Sequence, residues 1–156
     1  MASINLTEDE TKMAEFIKES LKLDIKNKDD CDRFKHFIYI KTTIDAHQNY
    51  KDFIDSLNKS KAFAEYTNKY FPELEPVENK SFKVIKLESV KSKYKIYVAN
   101  MKNVFGLDVT KEYICNSLLI HLQVLSQSTE AVAFLDFINQ SIINLIEYTC
   151  VYFPKK

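Results

Sequence analysis

Apolar residues recur at steps of three and four through most of this chain, the period of a helix with one buried face. Met13, Phe16, Ile17 and Leu21 make the first such row. Thr7 with Glu10 three residues on is a capping box, in which each side chain reaches the other's backbone amide, so the helix should begin near Glu8 and end near Leu23. Asp29, Asp30 and Asp32 suit the positive end of a helix dipole and open a second row, Phe34, Phe37, Ile40 and Ile44. The pattern continues through Tyr50, Phe53, Ile54 and Leu57, either as one long helix or as two with a break at His47 to Asn49. Ser60 is expected to cap a further short helix, Lys61 to Tyr70, before Pro72 and Pro76 impose a connection.

The next segment supports two readings. Leu87, Val90, Tyr94, Tyr97, Met101 and Val104 lie on one helical stripe. Lys91 to Val98 also alternates polar and β-favouring residues, with Phe82 to Leu87 as a partner strand, so a β-hairpin at 81–98 is the alternative. The helix is favoured because Glu88-Ser-Val-Lys91 has no turn chemistry, and Gly106 then ends it in the left-handed conformation. Asp108 is expected to cap a helix running to about Ser126, whose middle, Tyr113 to Leu125, is apolar on nearly every side. Such a helix must be covered all round. Ser128 with Glu130 should start the last helix, where Phe134, Leu135, Ile138, Ile142, Leu145 and Ile146 form a broad apolar face and Pro154 closes the element. The expected fold is a single all-α domain over residues 1–156, six or seven helices packed around a buried central helix near 109–126.

Composition narrows what such a bundle can do. With Gly106 as its one glycine, the chain cannot build the phosphate-cradling loop of nucleotide enzymes or the strained turn that exposes a hydrolase serine. Apolar residues make up 46% of the chain, enough for a packed core, yet no uncharged apolar run reaches the ~18 residues of a membrane span. The start of the chain lacks the basic and apolar regions of a signal peptide, and Cys31, Cys115 and Cys150 have neither disulfide-framework nor zinc-knuckle spacing. A cytoplasmic or nuclear location with reduced cysteines is the expectation. The excess of Lys, Ile, Asn, Tyr and Phe suggests an AT-rich genome such as that of a virus or phage.

The formal net charge is zero but unevenly spread. Residues 79–106 carry seven lysines against the single acid Glu88, whereas the segments before and after are acidic. As a helix, this segment brings Lys91, Lys95 and Lys102 within about 40° of one another, beside the apolar stripe. Such a row suits an acidic protein partner better than nucleic acid, since base reading favours arginine and the only arginine is Arg33.

The other constellations have plainer readings. Asp32 and His36, four apart, could be half of a metal site but lack a second pair, so an i,i+4 charge pair is expected and no metal. His121 lies in the apolar helix, where a core histidine bonded to a carbonyl is favoured over a haem ligand. Cys115 and His121 fall on different sides of their helix, so they make no nucleophile pair, and Lys26, Lys28 and Lys35 occupy ligand positions of any calcium loop beginning at Asp24. An enzyme would need a cluster made by tertiary contact, such as His47 or His121 with Cys150. The function these residues favour is a non-enzymatic, cofactor-free interaction protein that binds a partner through a helical groove or the Lys91, Lys95 and Lys102 face. A helical binder of lipid or haem and a nucleic-acid accessory protein are the alternatives.

Overall fold

The computed structural model describes residues 4–77, 83–129 and 131–154. Side-chain caps set several helix starts. The hydroxyl of Thr7 accepts from the Glu10 amide at 3.2 Å while the Glu10 carboxylate accepts from the Thr7 amide at 2.9 Å, opening α1 (Glu8–Leu21). Asn27 caps α2 (Lys28–Gln48), so the acids Asp29 and Asp30 stand in its first turn, at the positive end of the dipole. Asn49 is extended, with φ of −151°, and both ends α2 and caps α3 (Tyr50–Tyr70). Of the two readings of this stretch, one long helix or two with a break at His47 to Asn49, the structure has the second.

The short helix expected from a Ser60 cap does not form. Ser60 lies inside continuous α3, because the packing of Ser56, Phe63, Tyr66 and Thr67 along one face outweighs a weak capping preference. After the connection containing Pro72 and Pro76, the described chain resumes at Lys83. There Val84 makes one antiparallel bridge with Lys111, and a 3₁₀ turn, Leu87–Ser89, leads into α4 (Ser92–Phe105). The hairpin alternative is thus replaced by a helix over the basic segment; Phe82, its proposed strand start, lies outside the described residues. Leu87 and Val90 precede the helix instead of continuing its stripe. Gly106 ends α4 with φ of 71°, as expected of a left-handed cap.

Asp108 does not cap α5 (Glu112–Ser126). Its carboxylate accepts from the Thr110 amide at 3.1 Å, a local turn that delays the helix, and Lys111 takes the cap position. A 3₁₀ turn, Ala131–Ala133, precedes α6 (Leu135–Tyr152), so the last helix starts later than Ser128; Glu130 lies outside the described residues.

The chain is all-helical, with six α-helices among the described residues. Its core has two parts. Ala14, Ile17, Phe34, Phe37, Phe63, Tyr66 and Val124 fill one, and Ile40, Val98, Ile114, Leu118, Leu145 and Tyr148 fill the other. Both α2 and α5 supply residues to each, so the centre is this helix pair and not α5 alone. Each large side chain buried there contributes roughly 1.5–3 kcal/mol. The buried Tyr66 and Tyr148 hydroxyls are satisfied by carbonyls that lie outside helices: Tyr66 donates to Ile25 at 2.8 Å and Tyr148 to Val109 at 2.9 Å. No helix among the described residues is long and apolar enough to cross a membrane.

Candidate functional site

Two buried histidines join α2 to α5. Nδ1 of His121 lies 3.1 Å from the Phe37 carbonyl and the ring stacks on that of Phe37 at 4.5 Å, the core role expected of it. Burial pushes its pKa down to about 4, so the imidazole is neutral near pH 7. Nδ1 of His36 lies 2.7 Å from the Ser117 hydroxyl, and its Nε2 lies 3.7 Å from the Asp32 carboxylate. The expected i,i+4 pair exists and has a third member that no local spacing could reveal.

Serine, histidine and aspartate in that order resemble a nucleophile relay, but the arrangement cannot meet a substrate. Ser117 is fully buried in the α2–α5 contact, and none of the three residues lines the groove described below. With the Nε2 proton directed at the carboxylate, the Ser117 hydroxyl donates to Nδ1, and the set cross-links two helices. Cys31 and Cys115 are buried too, and desolvation pushes both thiols up to about 12, far from a reactive thiolate. Cys150 is exposed on α6, whereas His121 is buried and His47 bonds the Asn103 carbonyl at 2.7 Å. Among the described residues no group of three or more potential ligands could hold a metal ion.

An open groove of about 300 Å³ runs between α2 and α3, lined by Tyr39, Thr42, Thr43, Ala46, Phe53 and Ser60. It is at the small end of the range for ligand sites and contains no histidine or cysteine to reach a haem iron. His121 is not part of its lining.

The basic segment becomes helical at Ser92. Lys95 and Lys102 are exposed on α4, and Lys91, also exposed, is its cap residue, with its amide donating to the Tyr152 hydroxyl at 2.8 Å. Lys95 and Lys102 are seven apart on one side of the helix, Lys91 is in the extended residue before it, and no ion pair neutralises the three among the described residues. Lys93 lies on the other edge, 3.2 Å from Glu147 on α6. The first turn of α4 carries no acid, so Lys91, Lys93 and Lys95 crowd its positive end, where each cation opposes the dipole by about 0.3–1 kcal/mol.

A surface that the sequence did not single out lies on α6. Ile138, Leu145 and Tyr148 face the core and Ile142 is half-buried, but other apolar residues of α6 are exposed. Phe134 is 65% exposed and Ile143 57%, and Leu135, Ile146 and Cys150 are exposed beside Val132 of the preceding turn. By contrast the aromatics Tyr66 and Tyr70 of α3 are buried and half-buried. Hydrophobic periodicity marks an apolar face, but it cannot show which part of that face a neighbour covers. No protein-family model, curated protein or solved structure matches the chain.

Proposed function

We propose that this chain is a non-enzymatic interaction domain that docks a protein partner on the uncovered apolar face of α6. The observation that carries the reading is the row Leu135, Ile143 and Ile146, exposed on a helix that packs Ile138, Leu145 and Tyr148 into the core and also leaves Phe137 and Val151 exposed. A contiguous apolar patch in water is unfavourable and marks a contact surface when it exceeds a few hundred Å². The buried Ser117, Cys31 and Cys115, which leave the nucleophilic side chains of the core out of reach, favour binding over chemistry.

The lysine edge of α4 supports a second contact, to an acidic partner. Lys91 and Lys95 stand at the end of α4 that disfavours cations and Lys102 at the end that favours them, so two of the three do nothing for the helix, and the field of all three would speed association with an acidic surface.

A photo-reactive residue at position 143 tests the docking reading in the cells that make the protein. It should give a discrete adduct that disappears when Ile146→Lys is added, whereas the same group at exposed Lys61 on α3 should give none. Absence of any adduct from position 143 overturns the reading.

A further inference from the structure

We infer that the acidic surface met by the basic segment is an anionic lipid bilayer, on which α4 lies flat without crossing it. This inference rests on the second contact proposed above and names its partner. At about 100° per residue, Tyr94, Val98, Met101 and Phe105 share the inward side of α4, while Ser92, Ile96, Ala99 and Asn103 lie within about 60° of one another on the opposite side. All four of the latter are exposed. Lys95 and Lys102 stand about 80° to one side of this outward strip, and Lys93, paired with Glu147, stands about 90° to the other. The strip itself carries no charge, and Ile96, 71% exposed, is its largest side chain.

An uncharged strip between lysine flanks is what an interfacial helix presents to lipid. The aliphatic side chain enters the headgroup region, while the long lysine stems reach beside it and leave their ammonium groups among the phosphates. The chain before the helix repeats the combination. Val84 and Leu87 are more than half exposed and are interleaved with Lys83, Lys86 and Lys91. The Val90 amide donates back to the Leu87 carbonyl at 3.1 Å, a turn that keeps Leu87 within about 20 Å of Ile96.

Charge and shape favour lipid over other acidic surfaces. Residues 79–106 hold seven lysines against the single acid Glu88, and no arginine. The guanidinium fork suits a carboxylate or a base edge held in fixed geometry, whereas lysine, a point charge on a flexible stem, suits headgroups that move. The exposed apolar residues of the segment are aliphatic among the described residues. Its tyrosines, which could stack on bases, are half-buried, and Tyr94 packs edge-on against Tyr148 and Tyr152. The 14 residues of α4 make a ridge about 21 Å long, and a bilayer takes up such a ridge without a matching groove.

Co-sedimentation with vesicles tests the inference. At about 0.1 M salt the full chain should pellet with phosphatidylcholine vesicles containing one-third phosphatidylserine and stay in solution with phosphatidylcholine alone, and binding should weaken as salt rises. Each lysine near the surface strengthens binding about fivefold, so the combined Lys91→Gln, Lys95→Gln and Lys102→Gln variant should bind about 100-fold more weakly. Leu87→Gln with Ile96→Gln keeps every charge and replaces two exposed side chains, so helical circular dichroism should be unchanged. That pair should bind vesicles at least about fivefold more weakly, yet associate with poly-glutamate as the wild type does. A wild type that does not pellet with the anionic vesicles overturns the inference, as does a Leu87→Gln, Ile96→Gln variant that binds them as tightly as the wild type. If the wild type ignores vesicles but associates with poly-glutamate in a salt-sensitive way, the lipid inference fails and the second contact stands. Binding to a single-stranded polynucleotide in place of vesicles overturns it in favour of nucleic acid. Association with none of the three removes the second contact as well.

Discussion

His121 on α5 and Phe37 on α2 hold each other twice, through a 3.1 Å contact from Nδ1 to the Phe37 carbonyl and through rings stacked at 4.5 Å. The imidazole is almost completely buried, with the charges of Lys41 and Asp45 acting on it from α2 in opposite directions. Desolvation dominates and lowers its pKa from an ordinary 6.5 to about 4. Between these values the unfolded chain binds more protons than the folded one, so stability rises with pH. The contribution is complete above about pH 6.5 and is lost as pH falls through 4, by about 3 kcal/mol in all. Urea unfolding of the wild type should therefore weaken from pH 7 to pH 4, and His121→Gln should flatten that slope. Equal slopes for the two proteins would show that the histidine is not held neutral by the fold.

A second acid response belongs to the surface. Tyr70 donates to the Glu10 carboxylate at 2.6 Å and Lys69 lies 3.2 Å from its other oxygen, which together with the Thr7 amide hold Glu10 down at about 2. Tyr70 is the largest of these influences. Tyr70→Phe should raise the Glu10 pKa towards 4.5, read by the titration of its side-chain carboxyl resonance. Because the folded value is the lower one, the stabilisation is present above about pH 4.5 and is lost as pH falls towards 2, below most of the His121 window. A Glu10 titration unchanged by Tyr70→Phe would remove the tyrosine as the cause.

The parts of this fold that could be read from the sequence are those governed by residues close together in the chain. Thr7 and Glu10 are three apart, and Gly106 is the chain's one glycine, so the start of α1 and the end of α4 follow directly. The failures have the opposite character. Ser60 has the right chemistry for a cap, but Ser56, Phe63 and Tyr66 pack against distant elements and carry α3 straight through it. Asp108 satisfies Thr110 before any helix forms. The His36 and Ser117 contact spans 81 residues and leaves no local trace. The spacing of Lys95 and Lys102 follows from α4 alone, whereas Lys91 falls before the helix starts; the exposed apolar residues of α6 left no local trace, because their exposure depends on where neighbouring helices stop covering them.

Gly106 tests how tightly α2 meets the end of α4. A Cβ added there would lie 2.8 Å from the Cβ of His47, and the backbone φ of 71° already disfavours any side chain. Gly106→Ala should destabilise by roughly 1 kcal/mol from the backbone alone and by more where His47 cannot retreat. Adding His47→Ala separates the two effects: in that background the alanine should cost less, as measured by denaturant midpoints. An alanine tolerated without loss in the wild-type background would contradict both the cap and the contact.

The lysine edge makes a prediction about both stability and binding. Lys91 and Lys95 lie at the positive end of α4, so replacing them with Glu should help the helix, by about 0.3–1 kcal/mol each, whereas Lys102→Glu near the negative end should act the other way. The triple variant Lys91→Glu, Lys95→Glu, Lys102→Glu should accordingly remain folded, with a melting temperature close to that of the wild type. With poly-glutamate as the acidic probe, the wild type should associate rapidly at low salt and more slowly as salt screens the field over about 10 Å. The triple variant should lose that fast phase. A control that changes Lys18, Lys51 and Lys61 to Glu alters the net charge equally but leaves the α4 edge intact, and it should keep more of the fast phase. If the two triple variants slow association to the same extent, only net charge matters, and the edge formed by Lys91, Lys95 and Lys102 is a solvated face with no contact role.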